Sequence, residues 1–263
     1  MEGTSPLLLR KIRRLVLTAV CLAFLAIGER AGAGSIVGSK HDLSSVINNF
    51  IGSGMENEMN NYGEVCVYCH TPHGASDIAP LWNRNTPTGP YQMYASPTME
   101  ATVPGTPTGI SLACLSCHDG TIAVDSVRNQ PGSGTVASSW YGKPPAAYHY
   151  AMSAPGQANA SPGGSCAACH GTPNPYPHNA VVKYLTTDLR DDHPISIVYS
   201  EADGSNHATG FNPPVGDKFP NGIRLYSGRV ECASCHNVHD PAVPPFLRTS
   251  NANSSLCKTC HIK

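Results

Sequence analysis

Residues 232–261 have the sequence CASCHNVHDPAVPPFLRTSNANSSLCKTCH. The stretch contains two Cys-x-x-Cys-His motifs, Cys232/Cys235/His236 and Cys257/Cys260/His261, whose first cysteines are 25 residues apart. This motif is typical of c-type haem attachment, in which two thiols form thioether bonds to the porphyrin and the histidine binds the iron. The two-residue spacer places both sulfurs on one side of a single helical turn. We therefore expect two haems close together in this part of the chain.

Three further motifs of the same kind lie upstream, so the chain has five. They are Cys66/Cys69/His70, Cys114/Cys117/His118 and Cys166/Cys169/His170. The five motifs use ten of the eleven cysteines. Zinc knuckles or disulfides would also use paired cysteines, but neither explains a histidine after every pair. We therefore predict five covalently bound haem c groups. The proximal iron ligands would be His70, His118, His170, His236 and His261.

Residues 1–33 are typical of a secretory signal peptide. Basic residues between Arg10 and Arg14 precede an apolar run, Leu15 to Ile27, and Ala31-Gly32-Ala33 fits an Ala-x-Ala cleavage site. The apolar run is shorter than the ~20 residues that cross a bilayer, which argues against an uncleaved anchor. We predict export through the periplasm to the extracellular space or the outer cell surface, with no membrane span in the mature chain.

The charge of the mature chain bears on its partners. Removing residues 1–33 takes away five of the 17 basic and two of the 18 acidic residues, which leaves a formal charge of −4. A basic nucleic-acid footprint is therefore absent, and we predict no nucleic-acid partner. Residues 34–263 are predicted to form a single pentahaem domain, in which residues from about 131 to 184 form an inserted unit that carries the third haem.

The composition also indicates the fold class. The chain has 25 Gly and 23 Pro, and only 7% of its residues are aromatic. A globular chain of this length would normally need a larger apolar core. We therefore predict mostly coil with a few short helices and minimal strand, wrapped around a stack of haems that supplies most of the buried apolar surface. Folding would then depend on the cofactor.

Local patterns predict a few ordered elements. Asp42 is placed to cap a short helix, and residues 71–109 are rich in loop-forming Pro, Thr, Gly and Asn. Alternating apolar residues in DDHPISIVYS, residues 191–200, indicate a short strand. A hairpin turn at Ser227-Gly228 would lead into the fourth motif, and a one-turn helix is expected at each haem.

Seven histidines remain to serve as distal ligands for five irons. Among them, His73 and His239 each follow a proximal histidine by three residues. A side chain so close to the proximal face of its own haem cannot easily reach the distal face. We therefore predict that each binds the iron of a neighbouring haem.

The other distal ligands are predicted from their position in the chain. His41 and His193 stand at the starts of ordered elements, and both are predicted to be ligands. The fifth distal ligand would be His149, with His178 or His207 as substitutes. Because seven histidines are available for five distal positions, we expect bis-histidine ligation of all five irons.

Several segments outside the motifs recur together with the candidate ligands. They are GSKHDLS, CVYCHTPHG with PLWNR, CLSCHDG, DHPIS, LYSGRVECASCHNVHDP, and PFLR with LCKTCHIK. These segments resemble the doubled-CxxCH multihaem cytochromes, and more specifically the OmcE-type outer-surface cytochromes that form extracellular filaments in metal-reducing bacteria. The resemblance covers most of residues 34–130 and 185–263.

The resemblance implies bis-histidine irons, near-contact between successive porphyrins, and one axial histidine that comes from the adjacent subunit. The pattern of that family has four haems, so the segment around the third motif adds a fifth. On this basis we expect a head-to-tail homopolymer. It would receive electrons from redox partners and deliver them to extracellular acceptors such as metal oxides or other cells.

Two alternatives stay open. The first is a soluble periplasmic electron shuttle that does not polymerise. The second is a multihaem reductase for nitrite or a related small molecule, which would need one open iron position. Such an enzyme often carries Lys in place of a proximal His, and no Cys-x-x-Cys-Lys occurs in this chain. We therefore expect an electron carrier rather than an enzyme.

Overall fold

The computed structural model describes most of the chain downstream of residue 33. The described residues are 34–48, 60–99, 101–122, 124–134, 184–199 and 210–262. They belong to one compact unit that begins at Gly34. The predicted signal peptide, the third motif and nearly all of the predicted inserted unit lie outside the described residues. Within the described ranges, no helix has both the length and the apolar character needed to cross a membrane.

Regular secondary structure in these ranges is short and sparse, which confirms the prediction of mostly coil. The helices are α1 (Leu43–Asn48), α2 (Gly109–His118), α3 (Cys232–Cys235) and α4 (Ser255–Cys260), and a 3-10 turn, Ala252–Ser254, precedes α4. The prediction of a one-turn helix at each haem is confirmed for α3 but wrong for the first motif, which forms only a turn, and for α2. Ten residues make up α2, because small and apolar side chains allow one side of it to be buried.

The first helix begins where the sequence predicts. Asp42 caps it, since its carboxylate accepts hydrogen bonds from the backbone N–H groups of Ser45 at 3.1 Å and Gly38 at 2.8 Å. Burial alone would raise the pKa of Asp42, but these bonds and one from the Ser44 hydroxyl outweigh it and lower the pKa. The ionised cap fixes the backbone next to His41.

A small antiparallel pair of strands lies before the fourth motif. Strand β1 (Ile197–Val198) pairs with β2 (Arg229–Val230), and Ile197 lies opposite Val230. The strand predicted in residues 191–200 is therefore present, but only two residues of it join the ladder. The pairing places the segment that follows His193 beside the chain that enters α3.

The predicted hairpin turn at Ser227-Gly228 is confirmed. Both residues have positive φ angles, 51° and 72°, as a type I′ turn requires. The flanking residues Tyr226 and Arg229 exchange backbone hydrogen bonds of 2.9 and 3.1 Å. The turn thus delivers the chain into β2 and then into the fourth attachment motif.

The clusters of buried apolar side chains found in the described residues are small. One consists of Tyr199, Phe219, Ile223 and Leu225, and the other of Tyr62 and Tyr68. Polar side chains fill other interior positions, and Arg84 is completely buried. Its guanidinium donates hydrogen bonds to the carbonyl oxygens of Ser116, Val124 and Ser126 at 2.7 to 2.8 Å. Such an interior is held by polar contacts and contributes little hydrophobic stabilisation.

A buried carboxylate joins the second and fourth motifs. Glu231 is the N-cap residue of α3 and is only 2% exposed. It accepts a hydrogen bond from the hydroxyl of Ser111 in α2, and the same hydroxyl accepts a bond of 3.0 Å from the Cys232 N–H. Through these bonds the two attachment helices are held directly against each other.

The small clusters predict that the chain cannot fold without its cofactor. Protein produced without covalent haem attachment should have a coil-like far-ultraviolet circular dichroism spectrum and no cooperative thermal transition, because binding free energy is also folding free energy in such proteins. The haem-loaded protein is the control and should melt cooperatively. A cooperative transition in the haem-free chain would contradict this account of the core.

Candidate haem site

The described Cys-x-x-Cys-His motifs share a local geometry. In the first, fourth and fifth motifs, the histidine N–H donates to the carbonyl oxygen of the first cysteine. The bonds are His70 to Cys66 at 2.8 Å, His236 to Cys232 at 3.1 Å and His261 to Cys257 at 2.9 Å. In the second motif the corresponding residues form the last turn of α2. This closed turn places the two cysteines of a motif on one side of the backbone.

The cysteines of different motifs lie close enough to influence one another electrostatically. The pairs are Cys69 with Cys117, Cys114 with Cys232, and Cys235 with both Cys257 and Cys260. A hydrogen bond between the Cys114 and Cys232 thiols, together with burial, raises the pKa of Cys114 well above its usual value. The attachment turns therefore follow one another in the order first, second, fourth, fifth.

Three pairs of histidine rings lie at nearly the same separation. The ring centroids are 6.1 Å apart for His41 and His118, 6.1 Å for His70 and His239, and 6.4 Å for His193 and His261. Each pair joins a predicted proximal ligand to a predicted distal one. His239 lies beside the proximal histidine of the first motif, although it follows the fourth motif in the sequence.

This separation fits one metal ion between two imidazoles. A metal–imidazole bond is about 2.0–2.1 Å long, and the bonding nitrogen lies about 1.1 Å from the centroid of its ring. Two rings on opposite sides of one ion therefore have centroids about 6.3 Å apart. Imidazole is also a usual axial ligand of haem iron. The described donor set therefore fits haem, with the motif cysteines available for the thioether bonds.

Proline carbonyls orient two of the proximal rings. The Nδ1 of His70 lies 2.9 Å from the carbonyl oxygen of Pro80, and the Nδ1 of His236 lies 2.9 Å from that of Pro245. A carbonyl oxygen only accepts hydrogen bonds, so Nδ1 carries the proton in both rings. Nε2 is then the nitrogen that can bind a metal.

Two of the candidate distal rings, His41 and His239, have pKa values shifted towards the neutral form. Burial and the neighbouring His118 lower the pKa of His41 to about 4. Burial and the neighbouring His70 likewise lower the pKa of His239. Because only a neutral imidazole can bind a metal, both shifts favour the ligand form near neutral pH.

The first and fourth motifs belong to two similar structural units, residues 66–84 and 232–248. In each unit the chain returns to its proximal histidine through a proline, and the next residue has a positive φ angle, 54° at Leu81 and 62° at Phe246. His70 forms an isolated backbone bridge to Trp82, and His236 forms one to Leu247. The segments CHTPH…APLWNR and CHNVH…PPFLR contain the sequence signal for this repeat.

The repeat makes His73 the structural counterpart of His239. Unlike His239, the side chain of His73 is exposed and its ring contacts no other ring among the described residues. The ring of His236 likewise contacts no second histidine in the described part of the chain. His73 and His236 are thus the two described candidate ligands whose rings are not paired with another histidine ring, although His236 lies within electrostatic range of His41.

Some predicted site residues lie outside the described residues. They are Cys166, Cys169, His170, His149, His178 and His207. In the motifs that are described, all eight cysteines are thiols, and no three or more His, Cys, Asp or Glu side chains cluster as a zinc site requires. Neither disulfides nor zinc knuckles are formed there.

Exposed apolar side chains lie next to three of the histidines. Leu81 is 55% exposed beside Trp82, whose ring lies against His70 at 5.9 Å. Ile262, which follows His261, is 50% exposed, and Val238, which precedes His239, is 39% exposed. A porphyrin held at these positions would cover apolar surface that otherwise faces water.

Comparison with known families supports the same cofactor. Residues 227–263 match the family described as the doubled CXXCH motif. This match covers the fourth and fifth motifs and supports a multihaem c-type cytochrome. A search of curated proteins found no match to the chain.

The ring pairs predict which haem depends on His239. A His239→Ala variant should perturb the haem attached at Cys66 and Cys69, because the His239 ring faces His70. Resonance Raman or magnetic circular dichroism of the purified variant should show loss of one low-spin haem, and the reduced variant should bind one carbon monoxide. The matched control is His193→Ala, which should perturb the haem at Cys257 and Cys260. If NMR showed the disturbed haem of His239→Ala at Cys232 and Cys235, the pairing would be wrong.

Proposed function

We propose that this multihaem c-type cytochrome binds five haems and conducts electrons along them. The observation that carries the proposal is the set of three histidine pairs with ring centroids 6.1, 6.1 and 6.4 Å apart. Bound haem supplies one-electron chemistry, because its iron alternates between the ferric and ferrous states. The side chains of the protein hold each haem, ligate both faces of its iron and set the distances between neighbouring sites.

The order of the attachment turns supports conduction rather than isolated redox sites. Thiols of successive turns influence one another at each step from the first to the fifth motif, apart from the third, which lies outside the described residues. The Cys114 and Cys232 thiols are in hydrogen-bond contact. Haems attached at Cys114 and Cys232 would be held close together, which would favour electron exchange between them.

Closed iron sites favour an electron carrier over a reductase. A reductase for nitrite or a similar small molecule needs one iron with an open position. Three of the four described proximal histidines already face a second histidine. The fourth proximal histidine, His236, has no such partner in the described part of the chain. Its iron could take its distal ligand from exposed His73 or from a histidine outside the described residues, which are His149, His178 and His207.

We further propose that the mature protein is secreted and polymerises head to tail into an extracellular filament. Within one chain, His239 of the fourth unit faces the proximal histidine of the first unit. If the same contact is repeated between subunits, His73 of one copy faces His236 of the next. Such a contact joins different surfaces and does not close, so it generates a helical fibre.

The position of His41 narrows the choice of the crossing ligand. Of the predicted distal ligands, His41 and His73 lie nearest the N-terminus of the mature chain. His41 lies 6.1 Å from His118 of the same chain, whereas His73 is exposed. Both facts favour His73 as the ligand that crosses to the next subunit. A monomer would then have one iron with only its proximal ligand, which favours assembly.

Uniform bis-histidine ligation can be tested spectroscopically. Electron paramagnetic resonance and near-infrared magnetic circular dichroism of the purified protein should show only low-spin haem, with five haems per chain in a pyridine haemochrome assay. Carbon monoxide should not bind to the reduced assembled protein. A stoichiometric high-spin signal would count against this ligation and would revive the reductase alternative.

Filament formation can be tested by imaging the secreted protein. Negative-stain or cryo-electron microscopy should show filaments for the wild type. His73→Ala should yield separate subunits that keep covalent haem at every motif, with one haem now high-spin. The matched control is His41→Ala, which should lose a ligand within its own subunit and still form filaments.

Other outcomes distinguish the remaining alternatives. Discrete wild-type monomers with fully ligated irons would contradict the filament and favour the periplasmic shuttle. Filaments of His73→Ala with unchanged low-spin haem would show that His149, His178 or His207 completes the site instead.

A further inference from the structure

Glu231 lies between the second and fourth attachment motifs and is held by neutral hydroxyl groups. Its carboxylate accepts hydrogen bonds from the hydroxyl of Ser111, from that of Ser196 at 3.0 Å and from that of Thr108 at 3.3 Å. These donors come from two separate segments of the chain, the start of α2 and the residue before β1. These bonds fix the carboxylate in position, and although they favour its ionised form, they do not offset the opposite effect of burial.

Titratable and charged groups face Glu231 from three elements, β2, α2 and α3. Arg229 in β2 favours the ionised carboxylate, while the sulfurs of Cys114 in α2 and Cys232 in α3 lie within electrostatic range. Burial raises the pKa of Glu231, and the three hydroxyl bonds and Arg229 only partly oppose the rise. Both cysteines are predicted haem-attachment positions, so a haem bound at either of them would lie near the carboxylate.

One carboxylate oxygen lies just beneath the protein surface. Gly109 is exposed, and a Cβ atom added there would lie 3.3 Å from Oε1 of Glu231. The residue also has a positive φ of 52°, which glycine adopts without strain. Because residue 109 is glycine, no side chain covers Oε1 at this exposed position.

We propose that Glu231 binds one proton when an electron arrives at the second or fourth haem site and releases it when the electron leaves. The proposal rests on the proposed function. The electron comes from a redox partner, or from dithionite in a titration, and the proton comes from water to form an O–H bond at the carboxylate. An added electron makes the neighbourhood more negative, which destabilises the carboxylate anion and favours its protonated form.

The principal experiment measures reduction potentials of the haem-loaded protein over a series of pH values. In the wild type, the reduction potentials of one or two haems should fall as pH rises. In Glu231→Gln, these potentials should no longer depend on pH. The matched control is Glu64→Gln, which removes an exposed carboxylate that accepts a bond from Ser133 and should keep the wild-type slope. Wild-type potentials independent of pH, or an unchanged slope in Glu231→Gln, would overturn the proposal.

Two further measurements remain decisive if Glu231→Gln folds poorly. Ser111→Ala removes a hydrogen-bond donor to the ionised Glu231 carboxylate and so raises its pKa. The pH interval over which the reduction potentials change should therefore move to higher pH than in the wild type. Reduced-minus-oxidised infrared spectra should show a protonated carboxyl stretch that moves in Ser111→Ala. An unshifted range and no carboxyl band would overturn the proposal. Failure of the proposed function is recognised separately, since the wild type would then lack covalent low-spin haem.

Discussion

The proposed requirement that two imidazoles meet at one iron would explain why distant parts of this chain lie together. His70 and His239 are 169 residues apart in sequence, yet their ring centroids lie 6.1 Å apart. Closing such loops has an entropic cost that rises slowly with loop length. The two small apolar clusters of the described residues supply little to offset that cost. On the proposed account, iron–nitrogen and thioether bonds supply what a conventional core would provide.

Polar contacts of the polypeptide set the spacing at which these bonds can form. Glu231 and Ser111 hold α2 against α3, and the proline carbonyls at Pro80 and Pro245 turn two proximal rings. Buried Arg84 ties the loop after the first motif to the second motif through the Ser116 carbonyl. These groups act at the haem sites without binding the metal, much as outer-shell residues orient ligands in other metalloproteins.

Local features could be predicted from the sequence because they depend on neighbouring residues. The Asp42 cap, the Ser227-Gly228 turn and the coil-rich character follow from side-chain chemistry within a few positions. The match of His41 with His118 could not be predicted, because it depends on how separated segments meet. Glu231 gave no signal of its own in the sequence, since its role comes from hydroxyl groups on other segments.

An experimental density map of the haem-loaded protein tests the central claim most directly. The account predicts one iron between the rings of His41 and His118, one between His70 and His239, and one between His193 and His261. Each iron should be bound by a nitrogen from both rings of its pair. A map that placed the two rings of any pair on different irons, or left one ring unligated, would contradict it.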